Sequence, residues 1–176
     1  MSNTVDPVLV GRAQVGDLRA LDTLLTSIQA PLFRHLATIL RDDHAAEDAL
    51  QDSLFTISRR LGTLRDPQWF RAWAYRIATR EGVKHSRRNR RLPSTSDSAI
   101  EQLESVEEVP AFDADLIEQI PDAINALPPA SQLVLRMHYL DGLTYVEIAE
   151  ALELSVGTIK SRLAYGLGIL RKTVKR

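Results

Sequence analysis

An all-helical fold of two small domains is what this chain predicts, and three observations predict it. Leucines and isoleucines recur at three-to-four-residue spacing along most of its 176 residues, the rhythm of helices that bury one face. The apolar–polar alternation and β-branched clusters that mark strands are absent. A polar, acidic, proline-bearing stretch at 92–112 breaks the rhythm and reads as a linker between a helical bundle at 1–91 and a second helical unit at 113–176.

The first block opens with a short helix that stops at Gly16. Asp17 caps the next, whose apolar positions Leu18, Leu21, Leu25, Ile28, Leu32, Leu36 and Ile39 keep helical spacing, with Pro31 predicting a kink. Asp42 and Asp43 open a third helix with Ala46, Ala49, Leu50, Leu54, Ile57 and Leu61 along its core stripe. Asp66 followed by Pro67 is a cap and first-turn pair that launches a helix through Phe70 and Ile77 into an arginine cluster. In the second block, Pro128 and Pro129 admit a helix that Gly142 ends.

Composition excludes several classes of function. A hydrophobic fraction of 44% supports packed cores. No cysteine is present, which removes disulfides, thiolate metal sites and cysteine nucleophiles. His35, His44, His85 and His138 lie far apart without ligand spacing, so no metal and no cofactor is expected. No signal peptide and no membrane-length apolar run is visible, which predicts a cytoplasmic protein. The net charge of −1 conceals segregation: basic residues crowd 59–91, vanish over 92–135 and return at 160–176.

Residues 143–162 carry the most specific signal. Thr144 with Glu147 spells a capping box and Ser155 caps the following helix. Ile148, Ala149 and Leu152 supply the apolar face of the first helix, while Ile159 and Leu163 pack the second upon it. So short and tightly joined a pair is helix-turn-helix geometry. Gly157, Thr158, Lys160, Ser161, Arg162 and Tyr165 then front the second helix, small and cationic as major-groove entry requires.

The arginine-rich helix is the second signal. Trp69, Trp73, Arg76 and Arg80 share one face, and Arg87, Arg88, Arg90 and Arg91 end the segment. Cations interleaved with aromatics suit a single nucleic-acid strand, tracking phosphates and stacking bases. The third signal is Asp43, Glu47, Asp48, Gln51 and Asp52 on adjacent turns of one helix. Some complement the helix dipole and the rest form a protein-docking surface. Nothing assembles a nucleophile, a general base or a phosphate loop, so no enzyme is expected.

Four motifs in order, Leu9-Val10-x-Arg12-Ala13-Gln14-x-Gly16-Asp17, Ala46-Glu47-Asp48-x-x-Gln51-Asp52, Phe70-x-x-Trp73-x-x-x-Ile77-Ala78, and Leu127-Pro128-Pro129 with the run from Ser155 to Arg162, resemble the extracytoplasmic-function (ECF) sigma factors of the bacterial sigma-70 family. The resemblance implies that 1–91 is sigma region 2 and 113–176 is region 4, joined by an acidic linker that threads through RNA polymerase. It implies that Asp43, Glu47, Asp48, Gln51 and Asp52 dock on the β′ clamp helices of core polymerase. It implies that Arg65, Asp66, Gln68, Trp69, Trp73, Arg76, Arg80, Lys84, Arg87, Arg88, Arg90 and Arg91 capture the minus-10 element. Thr144, Ser155, Gly157, Thr158, Lys160, Ser161, Arg162 and Tyr165 would then read the minus-35 duplex, with the β flap beside them. An anti-sigma factor or other regulatory protein is the further partner implied, and no membrane.

Three departures from that pattern stand out. Arg80 and Lys84 occupy positions where the family usually carries asparagine and aspartate. Glu153 replaces a common turn glycine. The basic residues expected after Arg162 give way to Ala164, Tyr165, Gly166, Leu167 and Gly168. Two other readings of the residues stay open: a sigma mimic that titrates an anti-sigma factor, and a polymerase-independent helix-turn-helix repressor.

Overall fold

The computed structural model describes residues 5–89, 124–125 and 127–174. The described residues contain helices and turns without a strand. The linker at 92–112, the start of the second block at 113, Arg90, Arg91, Lys175 and Arg176 lie outside the described residues.

The first bundle consists of α1 (Pro7–Gln14), α2 (Leu18–Leu40), α3 (Asp43–Arg60) and α4 (Phe70–Asn89), with single 3-10 turns at Leu61–Thr63 and Pro67–Trp69. Its helix starts follow the local chemistry of the sequence. Asp6 accepts from the Val8 amide at 2.9 Å, Asp17 from Arg19 and Ala20 at 3.0 and 3.1 Å, and Asp42 from Ala45 at 3.1 Å. Each satisfies amides that the first helical turn leaves unpaired. The Ala20 amide and the Arg12 guanidinium hold the Asp17 carboxyl below its ordinary range. Gly16 turns the chain between α1 and α2 at φ +94, a left-handed conformation that favours glycine.

Along α2 the buried stripe is Ala20, Leu24, Ile28, Leu32 and Leu36. The predicted stripe is thus displaced at its start: Leu18 is 76% exposed and Leu24 is fully buried. Helix α2 remains one continuous element through Pro31. Leu36, Ile39 and Gly82 bring α2 and α4 close: a Cβ on Gly82 would meet Leu36 Cδ2 at 2.9 Å. His35 lies in this interface, edge-on to Tyr75 with centroids 5.0 Å apart. Its Nε2 is 2.8 Å from Thr79 Oγ1, and the Thr79 hydroxyl donates to the Tyr75 carbonyl. The proton of that hydroxyl being committed, Nε2–H of His35 is the donor of the pair. Burial depresses the imidazole pKa to about 3, so His35 is a neutral core residue.

The second unit consists of α5 (Pro129–Leu135), a π-helical turn at Arg136–Leu140, α6 (Tyr145–Leu152) and α7 (Val156–Val174). Pro129 sits in the first turn of α5, where its missing amide costs nothing. Gly142 ends the π turn at φ +69, as its sequence position predicts. Ile124, Leu127, Val134, Leu135, Met137, Leu143, Ile148, Ile159, Leu163, Leu167 and Leu170 form the core here. Gly166 lets α7 approach α5, for a Cβ there would stand 2.4 Å from Leu135 Cδ1 and 3.2 Å from Ser131 Cβ.

The two units pack on one another. Helix α6 lies along α4, and α2 touches α5. The buried Asp141 carboxylate accepts from Arg34 Nη2 at 3.0 Å, and the buried Arg71 guanidinium donates to the Asp141 carbonyl. Burial, reinforced by that carboxylate, pushes the Tyr75 phenol far above its usual range, which keeps it neutral.

Candidate nucleic-acid interface

The helix-turn-helix is built from its ends inward. Thr144 N donates to Glu147 Oε2 at 2.7 Å and Glu147 N donates to Thr144 Oγ1 at 3.2 Å, a complete capping box that starts α6. Glu153 closes α6 in the left-handed region at φ 57, and the Leu154 amide bonds back to the Ala149 carbonyl at 3.0 Å. Ser155 Oγ accepts from the Thr158 amide at 3.0 Å and opens α7. His138 Nδ1 donates to the Leu143 carbonyl at 2.8 Å and packs on Tyr139 and Tyr145, both centroids at 4.7 Å. The turn before α6 is thereby tied to the preceding helix.

These contacts aim the front of α7 outward. Thr144, Ser155, Gly157 and Tyr165 are exposed, Thr158 and Lys160 half-buried. The unpaired amides of the first turn add partial positive charge beside Lys160, suited to a phosphate. Two candidates fare differently: Ser161 is 7% exposed and Arg162 is half-buried. Helical spacing puts Ser161 on the front, but its side chain is buried. It is corrected to a packing residue.

The arginine-rich segment begins at Asp66, whose carboxylate accepts from the Gln68 amide at 3.0 Å. Phe70, Ala74, Tyr75, Ile77 and Ala78 of α4 enter the core. Trp73 does too: it is 9% exposed and lies 6.4 Å from Phe70 by ring centroids. Its predicted role as an open base platform is therefore corrected, because its ring packs towards Phe70 and the core. Arg65, Asp66, Gln68, Trp69, Arg80, Lys84, Arg87 and Arg88 are exposed and Arg76 half-buried. Within α4, Lys84 Nζ lies 2.7 Å from Glu81 Oε2, so part of its charge is offset locally.

Two cations of α4 reach across to the second unit. Arg76 pairs with Glu150, and Arg80 grips Glu153 with two nitrogens, the Nε to Oε2 contact being 3.3 Å. The bond from Arg80 holds the Glu153 carboxyl below its ordinary range, and the same contact raises Arg80. Trp69, Arg76, Val146, Ala149, Glu150, Glu153 and Leu154 line one open cleft between the units.

On α3 the stripe Ala45, Ala46, Ala49, Ser53 and Ile57 is buried. Asp43, Glu47, Asp48 and Gln51 are thereby turned to solvent, with Asp52 half-buried at the edge. The acidic and amide groups therefore share the side of α3 that the buried stripe leaves open. Asp52 Oδ2 also lies 2.9 Å from His85 Nε2, and Glu81 joins them so that one donor atom from each lies within 4.8 Å of the others. One imidazole and two carboxylates are a possible metal-ligand set. Sequence spacing missed it because Asp52 and His85 are 33 positions apart on different helices.

Residues 24–92 match the family profile described as Sigma-70 region 2, and residues 117–169 match Sigma-70, region 4. The RNA polymerase sigma-H factor of Pseudomonas aeruginosa is 30% identical over 170 residues, spanning 90% of this chain and 88% of that one. The ECF RNA polymerase sigma-E factor of Haemophilus influenzae is 28% identical, spanning 90% of this chain and 89% of that one. Among solved structures, CnrH in complex with the cytosolic domain of CnrY superposes at TM-score 0.66 with 20% identity, over 97% of both chains. The sigma factor RpoE of Bartonella quintana, in complex with the anti-sigma factor NepR, superposes at TM-score 0.63 with 18% identity, over 88% of this chain and 96% of that one. Two region profiles in the right order and a full-length relative at this identity are what the helix-turn-helix and the arginine-rich helix led one to expect. The chain belongs to the sigma-70 family, in its ECF group of RNA polymerase sigma factors.

Proposed function

We propose that this sigma factor reads its promoter at two points and meets core polymerase at a third. The first domain spans 1–91, the linker 92–112 and the second domain 113–176. The exposed acidic face of α3, Asp43, Glu47, Asp48, Gln51 and Asp52, docks on the β′ clamp helices. Helix α4 and the turn before it take the minus-10 strand through Arg65, Asp66, Gln68, Trp69, Arg76, Arg80, Lys84, Arg87 and Arg88, continued by Arg90 and Arg91. Helix α7 enters the minus-35 major groove with Ser155, Gly157, Thr158, Lys160 and Tyr165 foremost, Thr144 and Arg162 at the edge.

The observation that carries this reading is the pairing, in one chain, of a capped helix-turn-helix with a separate helix that carries exposed cations and follows a turn with an exposed tryptophan. Duplex reading needs the first and strand capture the second. Unstacking promoter bases costs a few kcal/mol, which base stacking at about 1–3 kcal/mol each and phosphate contacts offset. No bond is made or broken by sigma in that scheme, so no catalytic residue is assigned. Among the described residues no helix is long and apolar enough to cross a membrane, and the protein acts in the cytoplasm, where polymerase and promoter are. The solved neighbours were captured with protein partners, which supports a regulatory protein for this chain.

In vitro transcription of genomic fragments by core polymerase, with this protein added or omitted, tests the proposal. Start sites that depend on the protein and share minus-10 and minus-35 motifs are expected. Core binding without such starts would leave the mimic reading in its place. Replacing Glu47, Asp48 and Asp52 together by lysine is expected to abolish core binding while the helical content is kept.

A further inference from the structure

Helices α3 and α4 pack side by side, and three donor side chains converge along their seam. Glu81 and His85 stand four residues apart on α4 and so share one face of it. Asp52 reaches that face from α3. His85 Nε2 lies 2.9 Å from Asp52 Oδ2, and one donor atom from each of the three residues lies within 4.8 Å of the others. Two ligand atoms that are each about 2.0–2.1 Å from a common ion stand about 3 Å apart at a right angle and about 3.4 Å apart at the tetrahedral angle. The imidazole and the Asp52 carboxylate therefore already span one edge of a coordination shell. A change of side-chain torsion at Glu81 closes it.

We propose that Asp52, Glu81 and His85 bind one divalent transition-metal ion. The donors set its class: an imidazole suits zinc, nickel or copper, whereas magnesium and calcium take oxygen ligands. The side chains of Glu81 and His85 are 16% and 15% exposed and that of Asp52 is 49% exposed, so two ligands sit in the seam while the third leaves a path of entry. Three protein ligands leave the remaining coordination positions to water, as in an open site. The charge also fits, since two carboxylates face one nearby ammonium, Lys84 Nζ at 2.7 Å from Glu81 Oε2. Lys84 is thereby the competitor that an arriving dication displaces. Without an ion, the same side chains form an ordinary His85–Asp52 contact and a Lys84–Glu81 pair. With one, α3, the helix proposed to dock on polymerase, is tied to α4, the helix proposed to take the minus-10 strand; the ligand set itself rests on neither reading.

The full-length chain, prepared without a polyhistidine tag, is titrated with zinc chloride by calorimetry. One ion per chain is expected. Asp52→Asn, Glu81→Gln and His85→Gln should each weaken binding by at least about 10-fold, the low end of what losing even an outer partner of a metal ligand costs. Lys84→Ala should instead tighten it by about 1.5- to 5-fold, the equivalent of one exposed ion pair, a gain that a misfolded variant does not imitate. His44 is the control: it is exposed and lies 3.9 Å from Glu47 on the outer side of α3, and His44→Gln should leave the affinity unchanged. In nitrogen-15 spectra of the imidazoles, zinc should move Nε2 of His85 and leave His35, His44 and His138 in place, while magnesium chloride at the same concentration moves none of them. Absence of zinc binding, binding lost with His44 and kept without His85, an equal response to magnesium, or weaker binding by Lys84→Ala would overturn the site.

Discussion

The back half of α7 holds two glycines two residues apart that the structure treats differently, and alanine at each gives a sharp test of the packing. A Cβ on Gly166 would stand 2.4 Å from Leu135 Cδ1 and 3.2 Å from Ser131 Cβ, both in buried residues. A Cβ on Gly168 meets nothing within 4 Å. Each substitution gains about 1 kcal/mol of helix propensity. Only Gly166→Ala must also overpack the α5–α7 contact, at about 1–3 kcal/mol. The propensity gain is common to both, so G168A should exceed G166A in stability by about 1–3 kcal/mol. For a chain of this length that is roughly 2–4 °C in Tm for each kcal/mol. Urea unfolding followed by helical circular dichroism measures the difference. Equal midpoints, or a more stable G166A, would refute the close approach of α5 and α7.

Three further outcomes follow from particular contacts. His35 titrates at about 3 in the folded chain against 6.5 for an ordinary imidazole, so between these values the unfolded chain takes a proton that the folded one refuses and stability falls as pH falls; urea midpoints should show about 2 kcal/mol lost to this group by pH 5, and His35→Gln should remove that part of the acid sensitivity, an unchanged slope contradicting the buried neutral imidazole. Thr144→Ala removes the hydroxyl arm of the capping box at α6, which accepts from the Glu147 amide, while the Thr144 amide still donates to Glu147; it should cost about 1 kcal/mol of stability, read by thermal unfolding. Lys160→Ala should weaken duplex binding and reduce the slope of log affinity against log salt by about 0.9, an unchanged slope placing Lys160 away from the phosphates.

Helix boundaries were legible because capping is local. Asp17, Asp42, Asp66, Thr144 and Ser155 each bond to an amide two or three residues ahead, so a short window of sequence contains the whole interaction. The acidic face of α3 was legible for a similar reason: its alanine stripe orients the rest. What escaped depends on how elements meet. Leu18 and Leu24 both suit helical spacing, and only the neighbouring helices decide that Leu24 is inside. Trp73 was read with Trp69 and Arg80 as one face, yet it lies on the flank turned to Phe70 and the core. Ser161 looked like a groove residue because it is polar. The pairs Arg76–Glu150, Arg80–Glu153 and Arg34–Asp141 join residues more than 70 positions apart, beyond any periodicity. Two of the departures noted in the sequence, Arg80 and Glu153, proved to be partners, and Gly166 in the third proved to be a packing requirement.

Promoter opening is the most direct test of the two-point reading. Permanganate oxidises unpaired thymines, so a promoter recovered from the transcription experiment can be probed with core polymerase alone, with this protein alone, and with both. The account predicts reactive thymines at the minus-10 element only when both are present. It predicts loss of that reactivity when Arg80, Arg87 and Arg88 are replaced together by glutamate. Reactivity independent of the protein, or protein-dependent reactivity that survives the loss of those arginines, would contradict it.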